Sequence, residues 1–128
     1  MKEYTFFIPG PLPGLNEIIN LSKRHWAAYY VKKVKLTQDI AMIASIKVPQ
    51  CRNKIWVDFE WHEEGRLRDM DNIAFAKKFI LDGLVEAGRI PDDGWNWISG
   101  FSDSFKRVEA GWSGVCVTVK EIDEGGEA

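Results

Sequence analysis

The chain of 128 residues is 45% hydrophobic and 28% charged, and its formal net charge is −2. This length and composition predict one globular domain with a buried core, and they exclude an intrinsically disordered chain. No apolar run approaches the roughly 18 residues of a membrane-spanning helix, and early Pro and Gly residues interrupt the start too soon for a signal peptide. We therefore expect a cytoplasmic protein without a membrane partner, with one domain over residues 1–122 and a disordered tail over residues 123–128.

The charge is distributed unevenly along the chain. Residues 1–54 carry nine Lys or Arg and three Asp or Glu, whereas residues 55–128 carry eight and sixteen. A basic half joined to an acidic half is typical of a protein in which one surface binds phosphates and another holds cations. The alternative is that the unevenness has no function.

The thiols and imidazoles do not form a catalytic or metal-binding motif. Cys51 and Cys116 have no zinc-type spacing, so we expect reduced thiols, with a disulfide as the alternative. His25 and His62 are too isolated for a catalytic triad or a zinc site, and HEEGR lacks the second histidine of a zinc-protease helix. No phosphate-cradling glycine loop or G-x-S-x-G occurs, which argues against an NTPase or a serine hydrolase.

The first half of the chain is predicted to form one strand and one long helix. Residues 3–10 are a β-type run that ends at a Pro and a Gly, and the proline-rich segment 9–16 excludes a helix and a central strand. Residues 21–46 have the i, i+4, i+7 apolar spacing of a helix, which Pro49 stops.

The second half is predicted to contain three strands and a helix. Residues 54–63 alternate apolar and polar side chains, as a strand with one buried face does. A helix is expected over 72–87, and further strands over 95–109 and 114–122. These elements together predict an α/β (α+β) fold, a single small domain with a mixed β-sheet and two main helices.

Two aspartates precede the second predicted helix. Asp69 and Asp71 lie two residues apart on an extended segment, so their carboxylates point to the same side and repel each other unless a cation lies between them. Oxygen ligands of this type suit Mg²⁺ or Mn²⁺. The pair therefore predicts a divalent-metal site, with a helix N-cap as the alternative role for Asp71.

One side of the predicted helix carries charged side chains. At about 100° per residue, Asp71, Phe75, Lys78 and Asp82 share one stripe, whereas Lys77 is turned away. The opposite side is apolar and is expected to face the core: Ile73, Ile80, Leu84 and Ala87. A lysine here suits phosphoryl transfer, which needs a cation near the scissile phosphate. The alternative is an ordinary i,i+4 ion pair between Lys78 and Asp82.

A second acidic pair, Asp92 and Asp93, follows the helix. A helix over 72–87 is about 24 Å long, whereas the six residues up to Asp93 return about 20 Å at most. One chain can therefore hardly bring Asp93 back to Asp69, but two chains could pair one helix start with the partner's helix end across a twofold axis. The alternative is that Asp92 and Asp93 only form the turn PDDG.

These motifs together resemble a known family. RDMDN, a following helix with Lys and Asp, LVEAG and then DDGW look like the RusA family of Holliday-junction resolvases. The resemblance is strong over about residues 66–96 and looser over the opening IPGPLPGLN. It implies a Mg²⁺-dependent homodimeric endonuclease, with Mn²⁺ as the alternative ion, that nicks four-way DNA junctions symmetrically in recombination and repair, in a host or a phage.

The resemblance also implies roles for individual residues. The family's metal-binding aspartates and its catalytic lysine map onto four positions: Asp69, Asp71, Asp93 and Lys78. The interval after the D-x-D-N motif is longer here than in the best-known enterobacterial member, so counting from Asp71 places the lysine at Phe75. Counting back from Asp82 reaches Lys78, and Lys77 is the substitute.

A set of basic residues is expected to bind backbone phosphates: Lys23, Arg24, Lys32, Lys33, Lys35, Arg66 and Arg68. Such contacts read shape and charge rather than base sequence, and the alternative is a solvated helix face. The aromatic WNW at 95–97 either wedges against unstacked bases or packs in the core or a dimer interface. The alternative function is a non-catalytic DNA-binding or phage accessory protein, which would bind junctions without cutting them.

Overall fold

The computed structural model describes residues 1–123, so the predicted disordered tail lies outside the described residues except for Asp123. Within residues 1–123 the chain forms four strands and four helices. In chain order these are β1 (Lys2–Pro9), α1 (Leu15–Arg24), α2 (Trp26–Lys47), β2 (Ile55–Glu63), α3 (Met70–Ala74), α4 (Lys77–Glu86), β3 (Ile98–Arg107) and β4 (Gly114–Glu121).

The four strands form one mixed sheet in the order β1–β4–β2–β3. The last strand, β4, lies in the middle and pairs antiparallel with both β1 and β2, whereas β2 and β3 run parallel. Parallel neighbours need a crossover connection, and α3 with α4 supplies it. The predicted α+β fold with a mixed sheet is confirmed.

One face of the sheet is covered by helices and the other is open. The covered face of β2 consists of Ile55, Val57, Phe59 and Trp61, all of which are buried against the helices. The intervening residues of β2 lie on the open face, where Trp56 and Asp58 hydrogen-bond each other at 2.8 Å. This period-2 alternation is the pattern that the sequence predicted for residues 54–63.

The predicted helix over 21–46 is wrong in its start and its continuity. The structure has α1 beginning at Leu15, inside the segment expected to exclude a helix, and a break at His25. The N–H of Gly14 donates a 3.2 Å hydrogen bond to Glu17, which stabilises the first turn directly after the last proline. At His25 the backbone has φ −142° and ψ 71°, which is outside the helical region.

The predicted helix over 72–87 is also divided. It consists of α3 and α4, separated at Phe75 and Ala76. The predicted inner side is confirmed for Ile73, Ile80 and Leu84, which are buried, and Ala87 packs against the core.

The segment before β3 differs from the prediction. The strand begins at Ile98 rather than at residue 95, because the N–H groups of Trp97 and Ile98 both donate to the carbonyl of Gly94 in a turn. Trp97 packs against the core, whereas Trp95 is 93% exposed. Both cysteines are free thiols, as predicted. No helix within residues 1–123 is long and apolar enough to cross a membrane.

Candidate active site

The two aspartates of the D-x-D motif lie at the start of the crossover, directly after the loop that leaves β2. Asp69 occupies the N-cap position of α3 without a side-chain cap hydrogen bond, and Asp71 is in the first helical turn. The alternative role of Asp71 as the N-cap is therefore excluded, and the prediction that both aspartates lie on an extended segment is wrong, because Asp71 is already helical. Both residues are exposed, and neither forms an ion pair within residues 1–123. Their carboxylates are available to a cation from solution.

Arg68, the residue directly before the motif, is fixed by hydrogen bonds to three parts of the chain. Its guanidinium donates to both carboxylate oxygens of Glu63 at 2.7 Å and to the carbonyl oxygen of Leu12 at 2.8 Å. A longer contact of 3.4 Å reaches Glu17 on α1. The hydrogen bonds that it donates to Glu63 raise the pKa of Arg68 above its already high value. These bonds engage most of the donors expected to bind phosphate, so the structure gives Arg68 an internal positioning role.

Asn72, the residue directly after the motif, is fixed to the same part of the chain. Its Oδ1 accepts a 2.9 Å hydrogen bond from the N–H of Asn16. Gly14 lies between the two contacts: a Cβ there would be 2.7 Å from Oδ1 of Asn72 and 3.1 Å from Nη1 of Arg68. A side chain at position 14 would therefore have to displace Asn72 or Arg68. Arg68 and Asn72, the anchoring pair, attach both ends of the D-x-D motif to the proline-rich segment and α1.

Lys78, which is in the first turn of α4, lies between the carboxylates of Asp82 and Asp93. Its Nζ is 3.1 Å from Oδ1 of Asp82 and 4.0 Å from Oδ2 of Asp93. The hydrogen bond to Asp82 is the main cause that raises the pKa of Lys78, so the ammonium stays charged at neutral pH. The predicted i,i+4 pair therefore exists, and Asp93 joins it.

Asp93 contacts α4 but is not brought to the D-x-D motif. Its Oδ2 is 4.0 Å from Nζ of Lys78, and it lines a groove with Glu86 near the end of α4. Within residues 1–123 it forms no metal-binding group with the aspartates of the motif. That a second chain pairs one helix start with the partner's helix end stays a prediction. Asp92 does form the predicted turn, since its Oδ1 accepts the N–H of Gly94 at 2.8 Å.

The carboxylates fit Mg²⁺ in chemistry but are not gathered into a closed site. Within residues 1–123 no group of three His, Cys, Asp or Glu side chains is close enough to hold a metal ion. Mg²⁺ commonly takes one or two carboxylates and completes its shell with water and substrate phosphate oxygens. Asp69 and Asp71 would supply such a pair.

Lys77 points away from Lys78, as its position in the helix predicted. Its Nζ is 2.6 Å from Oδ2 of Asp103 on β3 and 4.0 Å from the centre of the Phe101 ring. The other oxygen of Asp103 accepts a 2.9 Å hydrogen bond from the indole N–H of Trp61. Lys77 is thus a link between α4 and the sheet, on the side opposite Asp93.

Two basic residues that the sequence reasoning missed lie beside Asp69. A surface depression of about 310 Å³ is lined by Asp69, Arg66, Lys106 and Arg107, among others. Lys106 and Arg107 end β3, and the carboxyl ends of the parallel strands β2 and β3 meet at one edge of the sheet. The sequence could have indicated them, because β3 is the first strand after the motif and it ends in these two basic residues.

The other predicted DNA-binding residues lie on α1 and α2, and none of them lines this depression: Lys23, Arg24, Lys32, Lys33 and Lys35. Lys33 lines a separate groove with Asp82 and Asp93. Lys35 forms an exposed ion pair with Asp39 at 3.3 Å. Their contact with DNA stays a prediction.

Comparison with known proteins adds no family to these observations. Neither the models of protein families nor the curated proteins match this sequence. The assignment of a function therefore depends on the side chains described above.

Proposed function

We propose that the protein is a Mg²⁺-dependent DNA endonuclease that acts as a homodimer on four-way junctions, as the RusA-like motifs imply. The observation that supports this function best is the arrangement along α3 and α4. Exposed carboxylates, Asp69 and Asp71, begin the crossover, and a charged Lys78 lies between Asp82 and Asp93 one helical segment later. Carboxylates for a cation and an ammonium for a phosphate are the groups that phosphodiester hydrolysis needs.

Each group of residues has a distinct role in the proposed reaction. Mg²⁺, when bound, activates a water molecule and stabilises the leaving oxygen. Asp69 and Asp71 would hold this ion, and Lys78 would offset the negative charge that develops on the phosphoryl group. Arg66, Lys106 and Arg107 would bind the neighbouring phosphates and orient the backbone.

The proposed homodimer follows from the symmetry of the reaction. A four-way junction is resolved by two nicks, one in each of two strands, and a single copy of this chain carries one D-x-D motif. Two copies related by a twofold axis would present two such motifs at once. We therefore expect nicks at symmetric positions.

Removal of the metal ion tests the proposal. We expect a four-way junction labelled on each strand in turn to give paired symmetric nicks with Mg²⁺ and no product with EDTA. A linear duplex of the same sequence is the control and should be cut poorly. Junction binding without cutting at any Mg²⁺ concentration would contradict the endonuclease and support a non-catalytic DNA-binding protein.

Single substitutions of the two neighbouring lysines distinguish their roles. Lys78→Met is expected to slow single-turnover cutting by about 100-fold, because it removes a cation that acts on the transition state. Lys77→Met is the matched control: it should lower the melting temperature, since Asp103 loses its partner, and leave the cutting rate of the folded protein within about threefold. Equal rate losses in both variants would contradict the assignment of Lys78.

A further inference from the structure

An aromatic groove lies on the open face of the sheet, at the end nearest the D-x-D motif. It has a volume of about 840 Å³, and its aromatic lining consists of Phe7, His62 and Trp112. Lys106, Arg107 and Glu109 also line it. The groove thus combines aromatic side chains with two cations and one carboxylate.

A glycine on β4 allows two aromatic rings of the groove to approach each other. Phe7 on β1 and His62 on β2 are separated by β4, yet their ring centres are only 5.6 Å apart. The Phe7 ring reaches across β4 because Gly114 has no side chain there, and a Cβ at Gly114 would collide with that ring. The two rings therefore form a continuous aromatic surface across three strands.

Trp112 forms the wall of the groove and is 70% exposed. It lies on the turn over residues 108–113, which crosses the end of β2 to connect β3 with β4. The N–H of Val108 donates to the carbonyl of Glu63, and the N–H of Gly111 donates to the carboxylate of Glu64, both at 3.0 Å. The turn is therefore bound to the same end of β2 that leads into the D-x-D motif.

The groove adjoins the depression at the candidate active site. Lys106 and Arg107 line both the groove and the depression that contains Asp69. A DNA strand that places a phosphate beside Asp69 would thus pass these two cations and bring its next base to the aromatic surface. Bases stack on aromatic side chains whatever their identity, because every base has a π face.

We propose that this groove binds an unpaired nucleobase of the DNA substrate, between Trp112 and the Phe7–His62 surface. The inference rests on the proposed function, since it places the scissile phosphate at Asp69. A protein partner fits less well, because a stable dimer interface uses about 20–30 residues on each side and this groove is far smaller. The two cations in its lining outnumber the one carboxylate, Glu109, and complement a phosphate backbone.

The test uses a fluorescent single-stranded oligothymidylate without Mg²⁺, so that binding is measured without cutting. Trp112→Ala is expected to weaken binding by about 5- to 100-fold, the loss of one stacking platform. Met42→Ala is the matched control, since Met42 is an apolar side chain on α2 that is 66% exposed and lines no part of the groove; it should bind like the wild type. Phe7→Leu keeps the apolar volume and removes the aromatic face, so a smaller loss is expected.

Two results would overturn the groove proposal. The first is equal oligothymidylate binding by Trp112→Ala and wild type; if the sedimentation of Trp112→Ala changes as well, the groove is a contact between copies. The second is equal wild-type binding of a fully paired duplex of the same length. A wild type that stacks unpaired bases but never cuts junctions would refute the endonuclease and retain the groove.

Discussion

Asp71→Asn is expected to reduce junction cutting by at least about 100-fold. Loss of a side chain that only hydrogen-bonds to a metal ligand already lowers metal affinity or activity about 10- to 100-fold, and Asp71 is proposed as a ligand itself. The substitution keeps the shape of the side chain and the oxygen that accepts the 2.9 Å hydrogen bond from the N–H of Asn72. The carboxylate is exposed and forms no ion pair within residues 1–123, so the melting temperature should not change. Junction affinity should be equal or higher, since one negative charge near the phosphates is removed.

The matched control for this prediction is Asp39→Asn. Asp39 is an exposed carboxylate on α2 that pairs with a lysine four residues earlier, much as Asp82 pairs with Lys78. Cutting should stay at the wild-type single-turnover rate with Mg²⁺ at saturating protein, whatever the loss of the Lys35 ion pair does to junction affinity, measured by fluorescence anisotropy in EDTA. If Asp71→Asn cuts as fast as Asp39→Asn, Asp71 is only an acidic residue that favours the N-terminus of α3.

The strands could be predicted from the sequence, but their order could not. The alternation from Ile55 to Trp61 is a local property of the chain, and burial of one face imposes it. That β4 lies between β1 and β2 depends on which edges become available as the chain folds, and no residue pattern in a strand names its neighbour. The close packing of Phe7 over Gly114 could not be predicted either, because it joins residues from opposite ends of the sequence.

The helix breaks were missed for a related reason. Neither His25 nor the pair Phe75–Ala76 is a Gly or a Pro, so the apolar pattern continues through both breaks. The breaks come from tertiary packing, which overrides local propensity. In the site, the D-x-D motif and the Lys78–Asp82 pair are local in sequence and were predicted, whereas the 4.0 Å approach of Asp93 depends on an irregular loop.

Arg68→Met is expected to lower the free energy of unfolding by about 2–4 kcal/mol, somewhat less than the loss of one partner from a fully buried ion pair. The Arg68 and Glu63 side chains are only 18% and 15% exposed, so the substitution leaves a mostly buried carboxylate without its partner. It also leaves the Leu12 carbonyl without its 2.8 Å donor. Chemical unfolding in urea measures this loss.

The same substitution should act on the metal ion through the position of Asp69. With one member of the anchoring pair removed, the motif is held only through Asn72, and the Mg²⁺ concentration for half-maximal cutting should rise about tenfold. The double variant Glu63→Gln with Arg68→Met removes the unpaired charge, so it should recover stability without recovering the Mg²⁺ dependence. That outcome would separate positioning of the motif from stability of the fold.

Arg66→Met is the matched control for Arg68, because both arginines line the depression at Asp69 but Arg66 forms no ion pair within residues 1–123. It should weaken junction binding, reduce the salt dependence of binding by about one counterion, and leave unfolding unchanged. Arg68→Met should instead lower the free energy of unfolding and leave junction binding and its salt dependence unchanged. If Arg68→Met instead weakens binding as Arg66→Met does, with unchanged unfolding, then Arg68 binds phosphate as the sequence first predicted and its bonds to Glu63 contribute little.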